Sequence, residues 1–259
     1  MNLRDGQYGW LCRLGLILPS MNVLNEPEWY RILPDGISVH TARMLLHGAM
    51  TAESFRHMHK DISRAALMLS TGHVDAIAYA CTAGSFLEDS EKIIRIIERE
   101  SNVPVVTTSR AVIEALHALQ IKRVAVATPY IESVNESERK FLENAGFEVT
   151  RIIGLDLGHT SEERLLIARQ KESVTYELAK RVESPEADGV FISCVALASV
   201  GILKKLEDNL SKPVFSSTVA TLWAILRRSG VDVSIEGFGS LLEKFPPLPE
   251  LPKYREQKS

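Results

Sequence analysis

The sequence predicts an α/β protein made of two pseudo-symmetric half-domains, each a mainly parallel sheet flanked by helices, with a cleft between them. Three observations carry this. Short β-rich runs alternate with helical patterns along the whole chain, as a parallel sheet covered on both faces requires. The order of these runs is replayed once, at a nearly constant offset. One strand in each half also runs straight into a cysteine, at the strand end where an open α/β sheet presents its ligand crevice.

Residues 13–18 read as the first strand, closed by Pro19-Ser20-Met21-Asn22. Residues 26–32 make a short helix with Pro27 in its first turn, where a missing N–H costs nothing. A second strand over 38–44 precedes a long amphipathic helix over 52–69, stopped at Thr71-Gly72. Strand 75–80 then leads into Cys81. Residues 85–100 are helical, with Ile93, Ile94, Ile96 and Ile97 at helical spacing. A fourth strand spans 103–106, and Ser109 caps a helix that runs to residue 119. The second half supplies a strand from 123, a helix over 134–144, a strand over 148–155, helices over 162–169 and 173–182, a strand ending at Cys194, and a helix over 200–210. After Gly230 the chain becomes proline-rich at Pro246, Pro247, Pro249 and Pro252, which predicts irregular packing or a loose end.

The replay is specific. Arg123-Val124-Ala125-Val126-Ala127-Thr128-Pro129-Tyr130 echoes Arg13-Leu14-Gly15-Leu16-Ile17-Leu18-Pro19-Ser20, an offset of 110 from residue 13 to 123. Cys194 follows Cys81 by 113, and Pro213 follows Pro104 by 109. Asp75 and Asp188 each stand six residues before their cysteine. These repeats divide the chain into a half-domain over 1–119 carrying Cys81, a second over 120–217 carrying Cys194, and a segment over 218–259. That last segment is expected to be a helix and proline-rich tail packing back on the N-terminal half. Both half-domains are Rossmann-like in pattern, yet no G-x-G-x-x-G follows the first strand and no G-K-[ST] loop occurs, so nucleotide binding has no sequence support.

With 259 residues, of which 45% are hydrophobic, the chain can bury one large core or two of about 100 to 150 residues each. A net charge of −3 provides no basic field for nucleic acid or an anionic membrane, and no apolar run approaches the roughly 20 residues of a bilayer span. A cytoplasmic protein is expected. Three widely spaced cysteines make neither a disulfide framework nor a C-x-x-C metal pair, which leaves packing or catalysis. Cys12, ahead of the first strand, reads as packing. The matched positions of Cys81 and Cys194 point the other way: two thiols would flank one substrate, acting on opposite faces of one carbon, or attacking one carbon while moving a proton at its neighbour. Each thiol is expected at a helix amino end, where free N–H groups and the dipole favour a thiolate and a carboxylate.

These motifs resemble the aspartate/glutamate racemase superfamily, and within it the branch of maleate cis-trans isomerases and arylmalonate decarboxylases. The marks are Pro19-Ser20-Met21-Asn22, Cys81-Thr82-Ala83-Gly84-Ser85, Ala127-Thr128-Pro129-Tyr130 followed by Val134-Asn135-Glu136, Ser193-Cys194, and Gly237-Phe238-Gly239-Ser240-Leu241-Leu242. The resemblance covers roughly residues 13–242. Decarboxylases of this branch carry glycine where this chain has Cys81, so the cysteine pair is similar to the isomerases and racemases. The resemblance implies an enzyme without cofactor or metal that isomerises a small mono- or dicarboxylate. Cys81 would be the nucleophile and Cys194 the proton donor and acceptor. Asn22 and Tyr130 would hold carboxylate, and the backbone N–H groups of Thr82 and Ala83, and of Val195 and Ala196, would form two anion cradles. Where the isomerases carry asparagine, this chain has Arg164, which can grip a carboxylate bidentately. The readings left open are maleate-like cis-trans isomerisation, two-base racemisation of an amino acid or hydantoin, decarboxylation of a substituted malonate, and a binding protein. A homo-oligomer is also left open. Plainer roles stand beside these: Tyr130 as a core ring, Arg164 on a solvated helix face, His57 and His59 as surface histidines, and His73 and His159 as structural ones.

Overall fold

The computed structural model describes residues 6–249. Its first sheet is built from β1 (Cys12–Pro19), α1 (Asn25–Ile32), β2 (Ile37–Met44), α2 (Ala52–Met58), α3 (Ile62–Ser70), β3 (Ala76–Tyr79), α4 (Thr82–Phe86), α5 (Ser90–Ser101), β4 (Val105–Thr107) and α6 (Thr108–Ala118). The second contains β5 (Arg123–Tyr130), α7 (Glu132–Asn144), β6 (Glu148–Leu157), α8 (Ser161–Ile167), α9 (Glu172–Val182), β7 (Gly189–Ile192), α10 (Leu203–Leu210) and β8 (Val214–Ser216), followed by α11 (Ser217–Arg228) and α12 (Ser240–Lys244). The sheets run β2-β1-β3-β4 and β6-β5-β7-β8, every pairing parallel. Chain direction across each sheet therefore reverses between its two central strands, β1 and β3 or β5 and β7. The carboxyl ends of those pairs open a crevice. Pro19 ends β1 and Cys81 lies just beyond β3; Tyr130 ends β5 and Cys194 lies just beyond β7.

Strands covered by helices on both faces need no polar alternation, and β3 and β7 are buried at every position. The repeated aspartates fix where these strands begin. Asp75 accepts from the Arg13 amide at 2.8 Å while its own N–H donates to the Arg13 carbonyl, and Asp188 does the same with Arg123. Their equal spacing to the cysteines is thus a register clip rather than chemistry.

Two predicted helices are broken. The span 52–69 is interrupted by a 3₁₀ turn at His59–Asp61, where the Asp61 carboxylate accepts from the Leu45 amide at 2.8 Å. The span 85–100 starts earlier, as α4, and restarts as α5 with the Asp89 side chain capping Lys92 N–H. Ser109 is not a cap: Thr107 holds the N-cap position of α6, and the Ser109 hydroxyl donates to the Ser85 carbonyl. Residues 195–202 turn instead of forming a helix, so α10 begins only at Leu203. The tail is neither wholly irregular nor loose up to residue 249. It forms α12, and the Pro246 carbonyl accepts from Trp223 Nε1 and Arg227 Nε. Pro252 lies outside the described residues. No helix among those described is long and apolar enough to cross a membrane.

The halves join along polar contacts on buried helices. The hydroxyls of Thr108 on α6 and Thr221 on α11 lie 3.1 Å apart, and Arg228 grips the buried Glu114 carboxylate through both terminal nitrogens. On α1, Trp29 Nε1 donates to the Thr218 carbonyl, and the buried Glu28 carboxylate accepts from the Ser199 and Val200 amides of the other half. Burial pushes Glu28 up from 4.5 to about 7, against the lowering effect of those amides. The raised value means its contribution to stability is complete below pH 4.5 and is lost as pH rises through about 7. Glu28→Gln keeps the acceptor and removes the ionisation. Denaturant titrations at pH 4.5 and 8.5 should show wild type losing on the order of 3 kcal/mol relative to the variant; parallel losses would contradict this account of Glu28.

Candidate active site

One cavity of about 60 Å³ lies at the crevice, with room for a handful of water-sized groups. Asn22, Cys81, Thr82, Ala83, Tyr130, Arg164, Cys194, Val195 and Ala196 all line it, so the structure brings together every residue the sequence singles out. Pro19, Met21, Leu46, Met50, Phe55, Ile167 and Ala168 complete the wall and make it largely apolar.

Strand alternation and the α4 start place Cys81. It has extended backbone, φ −148° and ψ 101°, and stands at the N-cap position, with Thr82 and Ala83 in a first turn whose N–H groups have no intrahelical acceptor. Cys194 is held differently. Its φ is 86°, a left-handed conformation uncommon for a residue with a Cβ, and no helix follows it. The expectation of a helix amino end therefore holds for Cys81 alone, and there the helix is five residues long. The second cradle is also largely used internally. Val195 N–H donates to the Thr82 hydroxyl at 3.3 Å, and Ala196 N–H to the Cys194 sulfur at 3.4 Å. Asn22 gives one amide N–H to the Val195 carbonyl and accepts from the Leu24 and Asn25 amides, which leaves its other N–H.

Arg164 is not on a solvated face. It is 5% exposed, donates from Nη2 to the Ala49 carbonyl, and lies over the Phe55 ring with 5.3 Å from its central carbon to the ring centroid. Its Nε and Nη1 have no acceptor among the described residues. Burial lowers Arg164 to about 10, moderated by the neighbouring Cys81, Cys194 and Tyr130, so it stays cationic at neutral pH. Tyr130 is a buried ring as well as a cavity wall, with its hydroxyl in reach of Ser193 and Cys194.

The thiols do not behave as a dipole argument alone suggests. Burial raises Cys81 to about 11 despite the Gly84 N–H, Arg164 and Tyr79. Burial likewise raises Cys194 to about 12, although the Ala196 N–H and Tyr130 favour its thiolate. Desolvation outweighs the preorganised donors, and both sulfurs are thiols at neutral pH until something changes their surroundings.

Tyr79, His59, Ser193 and Glu138 form polar surroundings of the site to which the sequence assigns no role there. Tyr79 is fully buried with its hydroxyl 2.6 Å from His59 Nε2, so His59 is not a surface histidine: the 3₁₀ turn tucks it half-buried against β3. The Ser193 hydroxyl donates to the buried Glu138 carboxyl at 2.6 Å, and burial raises Glu138 to about 8. Strand alternation could have pointed to Tyr79, two residues before Cys81 and on the same face. His57 is exposed, and His159, exposed too, pairs with Asp156.

The sequence matches the arylmalonate decarboxylase family over residues 14–242. The chain belongs to that family. Among its relatives, the maleate isomerase of Geobacillus stearothermophilus is 27% identical over 89% of this chain and 96% of its own length. The arylmalonate decarboxylase of Bordetella bronchiseptica is 28% identical, again over 89% and 96%. The crystal structure of the Pseudomonas putida S16 maleate isomerase, a cysteine-to-alanine variant with maleate, superposes with a TM-score of 0.80 at 27% identity, covering 90% of this chain and 97% of that one. Membership of this arylmalonate decarboxylase and maleate isomerase family makes the chain an enzyme of the racemase superfamily, as the motifs implied.

The raised thiols make a direct prediction. Iodoacetamide labelling of Cys81 and Cys194, mapped by digestion, should keep rising about tenfold per pH unit from 7 to 10, Cys81 ahead of Cys194. A plateau near the ~8.5 of a solvated thiol would show that burial does not control them.

Proposed function

We propose that this family member is a cofactor-independent isomerase that converts a maleate-like cis-enedioate to its trans isomer through a thioether at Cys81. The observation that carries the reading is a buried arginine with two unpartnered N–H groups in the same small cavity as two thiols, one from each half. A carboxylate is the group that suits these cationic donors; Nε and Nη1 lie on different edges of the guanidinium, so each would give its own charge-assisted hydrogen bond. The remaining N–H of Asn22 and the first-turn amides of Thr82 and Ala83 suit a second carboxylate.

In the proposed step the Cys81 thiolate gives its electron pair to one alkene carbon. The former π pair moves to the neighbouring carbon and into its carboxylate, and Cys194 delivers a proton there. The carbon–carbon bond, now single, rotates. Cys194 then takes the proton back, the double bond re-forms, and Cys81 leaves as thiolate with the trans acid released. Neutral thiols suit this order. Two thiolates in one small cavity repel, so the working pair is one thiolate and one thiol, with Cys81 the easier to ionise.

Cys81→Ala should abolish turnover of a cis-enedioate. Cys194→Ala should still bond to carbon but fail to complete the cycle, and intact-protein mass spectrometry should show an adduct of one substrate mass mapping to Cys81. Two-base racemisation would instead give stereoselective exchange of an α-proton in deuterated water with no adduct, and carbon dioxide release would mark a decarboxylase. Either result replaces the isomerase reading. Arg164→Met, which preserves most of the packing against Phe55 but no donor, should weaken apparent substrate binding by about tenfold to a hundredfold, since a charged hydrogen bond contributes roughly 1.5 to 3 kcal/mol.

A further inference from the structure

Behind Cys81 a line of polar side chains leads out of the cavity toward water. Tyr79 and Cys81 share a face of β3 and its extension, two residues apart. A Cβ built at Gly84 would lie 2.7 Å from the Tyr79 hydroxyl and 2.9 Å from the Cys81 sulfur, so the missing side chain is what lets these two atoms occupy adjoining space. The same hydroxyl lies 2.6 Å from His59 Nε2, with the rings edge to face at 5.6 Å. His59 itself is half-buried and borders solvent.

We infer that Tyr79 and His59 form the route by which the Cys81 thiol loses its proton before attack, an inference that rests on Cys81 being the nucleophile. In this step the Tyr79 oxygen takes the S–H proton while Tyr79 gives its own O–H proton to Nε2 of neutral His59. The products are a Cys81 thiolate and an imidazolium, and the imidazolium passes a proton to water. Tyr79 ends as it began, and nothing is oxidised or reduced.

The surroundings make the transfer uphill and brief: the imidazole is a much weaker base than the thiolate, so the proton moves on because His59 borders water and attack on carbon consumes the thiolate. Burial and then Lys92 on α5 lower His59 to about 4, so it is a neutral acceptor at working pH and does not retain the proton. Glu88, between α4 and α5, faces Tyr79, and Arg164 on α8 faces Cys81, where it steadies the thiolate. Among the described residues no histidine joins the groups around Cys194. Its partners Tyr130, Ser193 and Glu138 are all buried, Glu138 to 1% exposure. Both sulfurs are nearly buried, and what separates them is the side-chain line behind Cys81, which ends in a half-buried histidine, whereas the groups around Cys194 are buried throughout.

The test uses the full chain carrying Cys194→Ala, mixed with maleate, with adduct formation at Cys81 timed by acid quench and mass spectrometry. Adding His59→Gln, which preserves a hydrogen bond but cannot relay a proton, should slow adduct formation tenfold to a hundredfold without moving the thermal midpoint. Adding His59→Ala instead should slow it similarly, and free imidazole should restore the rate, a recovery that a packing role would not give. Equal rates with and without His59 would overturn the route and leave the nucleophile assignment standing. Slowing that imidazole does not relieve, and that glutamine at the same position does, would make His59 a packing residue and overturn the route as well. Absence of any adduct with His59 intact would overturn both, and so identify the nucleophile assignment as the failing premise.

Discussion

A guanidinium removed from water without a carboxylate partner sets the character of the cavity. Arg164 keeps one hydrogen bond to the Ala49 carbonyl and a face-on contact with Phe55, and leaves Nε and Nη1 unpaired. An unsatisfied buried donor costs roughly 1 to 3 kcal/mol, and more when charged. Within the protein those two nitrogens have no acceptor, so in the proposed reading an anion entering the site would supply one. The same charge is also the strongest nearby influence favouring a thiolate at Cys81 apart from the Gly84 amide. In the proposed mechanism binding and nucleophile activation would share one side chain, and a carboxylate paired with Arg164 would also draw on the charge that steadies the sulfur. On that reading the first-turn amides around Cys81 and the proposed route through Tyr79 would matter more with substrate bound.

The two halves share one frame and differ at the cysteines. The aspartate clips at Asp75 and Asp188 work in the same manner, and the strand orders match. The cysteines do not match. Cys81 is extended and precedes a helical turn, whereas Cys194 sits at φ 86° before a series of turns, its amide donating to the Ser217 hydroxyl. The Thr82 hydroxyl accepts from Val195 N–H, its counterpart across the pseudo-twofold, so a side chain of the first half occupies a donor of the second. Two equal cradles thus become one open cradle and one largely engaged one.

Much of this was legible because it depends on local pattern. Strand spans and the repeat follow from buried runs, and Cys81 and Cys194 from their matched places at the carboxyl edge of each sheet, whereas Asn22, Thr82, Ala83, Tyr130, Arg164, Val195 and Ala196 come from the resemblance to the family's motifs. What escaped the sequence depends on contacts between distant segments. The break at His59 arises where Asp61 reaches Leu45 and the imidazole reaches Tyr79, neither visible in an amphipathic pattern that continues unbroken through 52–69. The left-handed backbone at Cys194 carries no glycine or asparagine signal. The upward shift of the thiols escapes the sequence for a related reason: a helix amino end is readable from it, but the burial of two sulfurs between the halves is not.

The polar seam between the halves explains how so small a site can be positioned at all. Two lobes joined only by apolar surface could slide by a fraction of a side chain at little cost, because such contact is non-directional. Here the joint is pinned by directional groups: Thr108 against Thr221, Asn25 and Trp29 against Thr218, and Glu28 against the Ser199 and Val200 amides. The last of these holds the turn that leads away from Cys194, while Asn22 ties the Val195 carbonyl to the end of β1. Each bond across the joint leaves a buried polar group unsatisfied if the lobes shift, so the penalties add to a single preferred register. Chemistry that needs one sulfur bonded to carbon and the other within proton-transfer distance of the adjacent carbon depends on that register more than on the strength of any one contact.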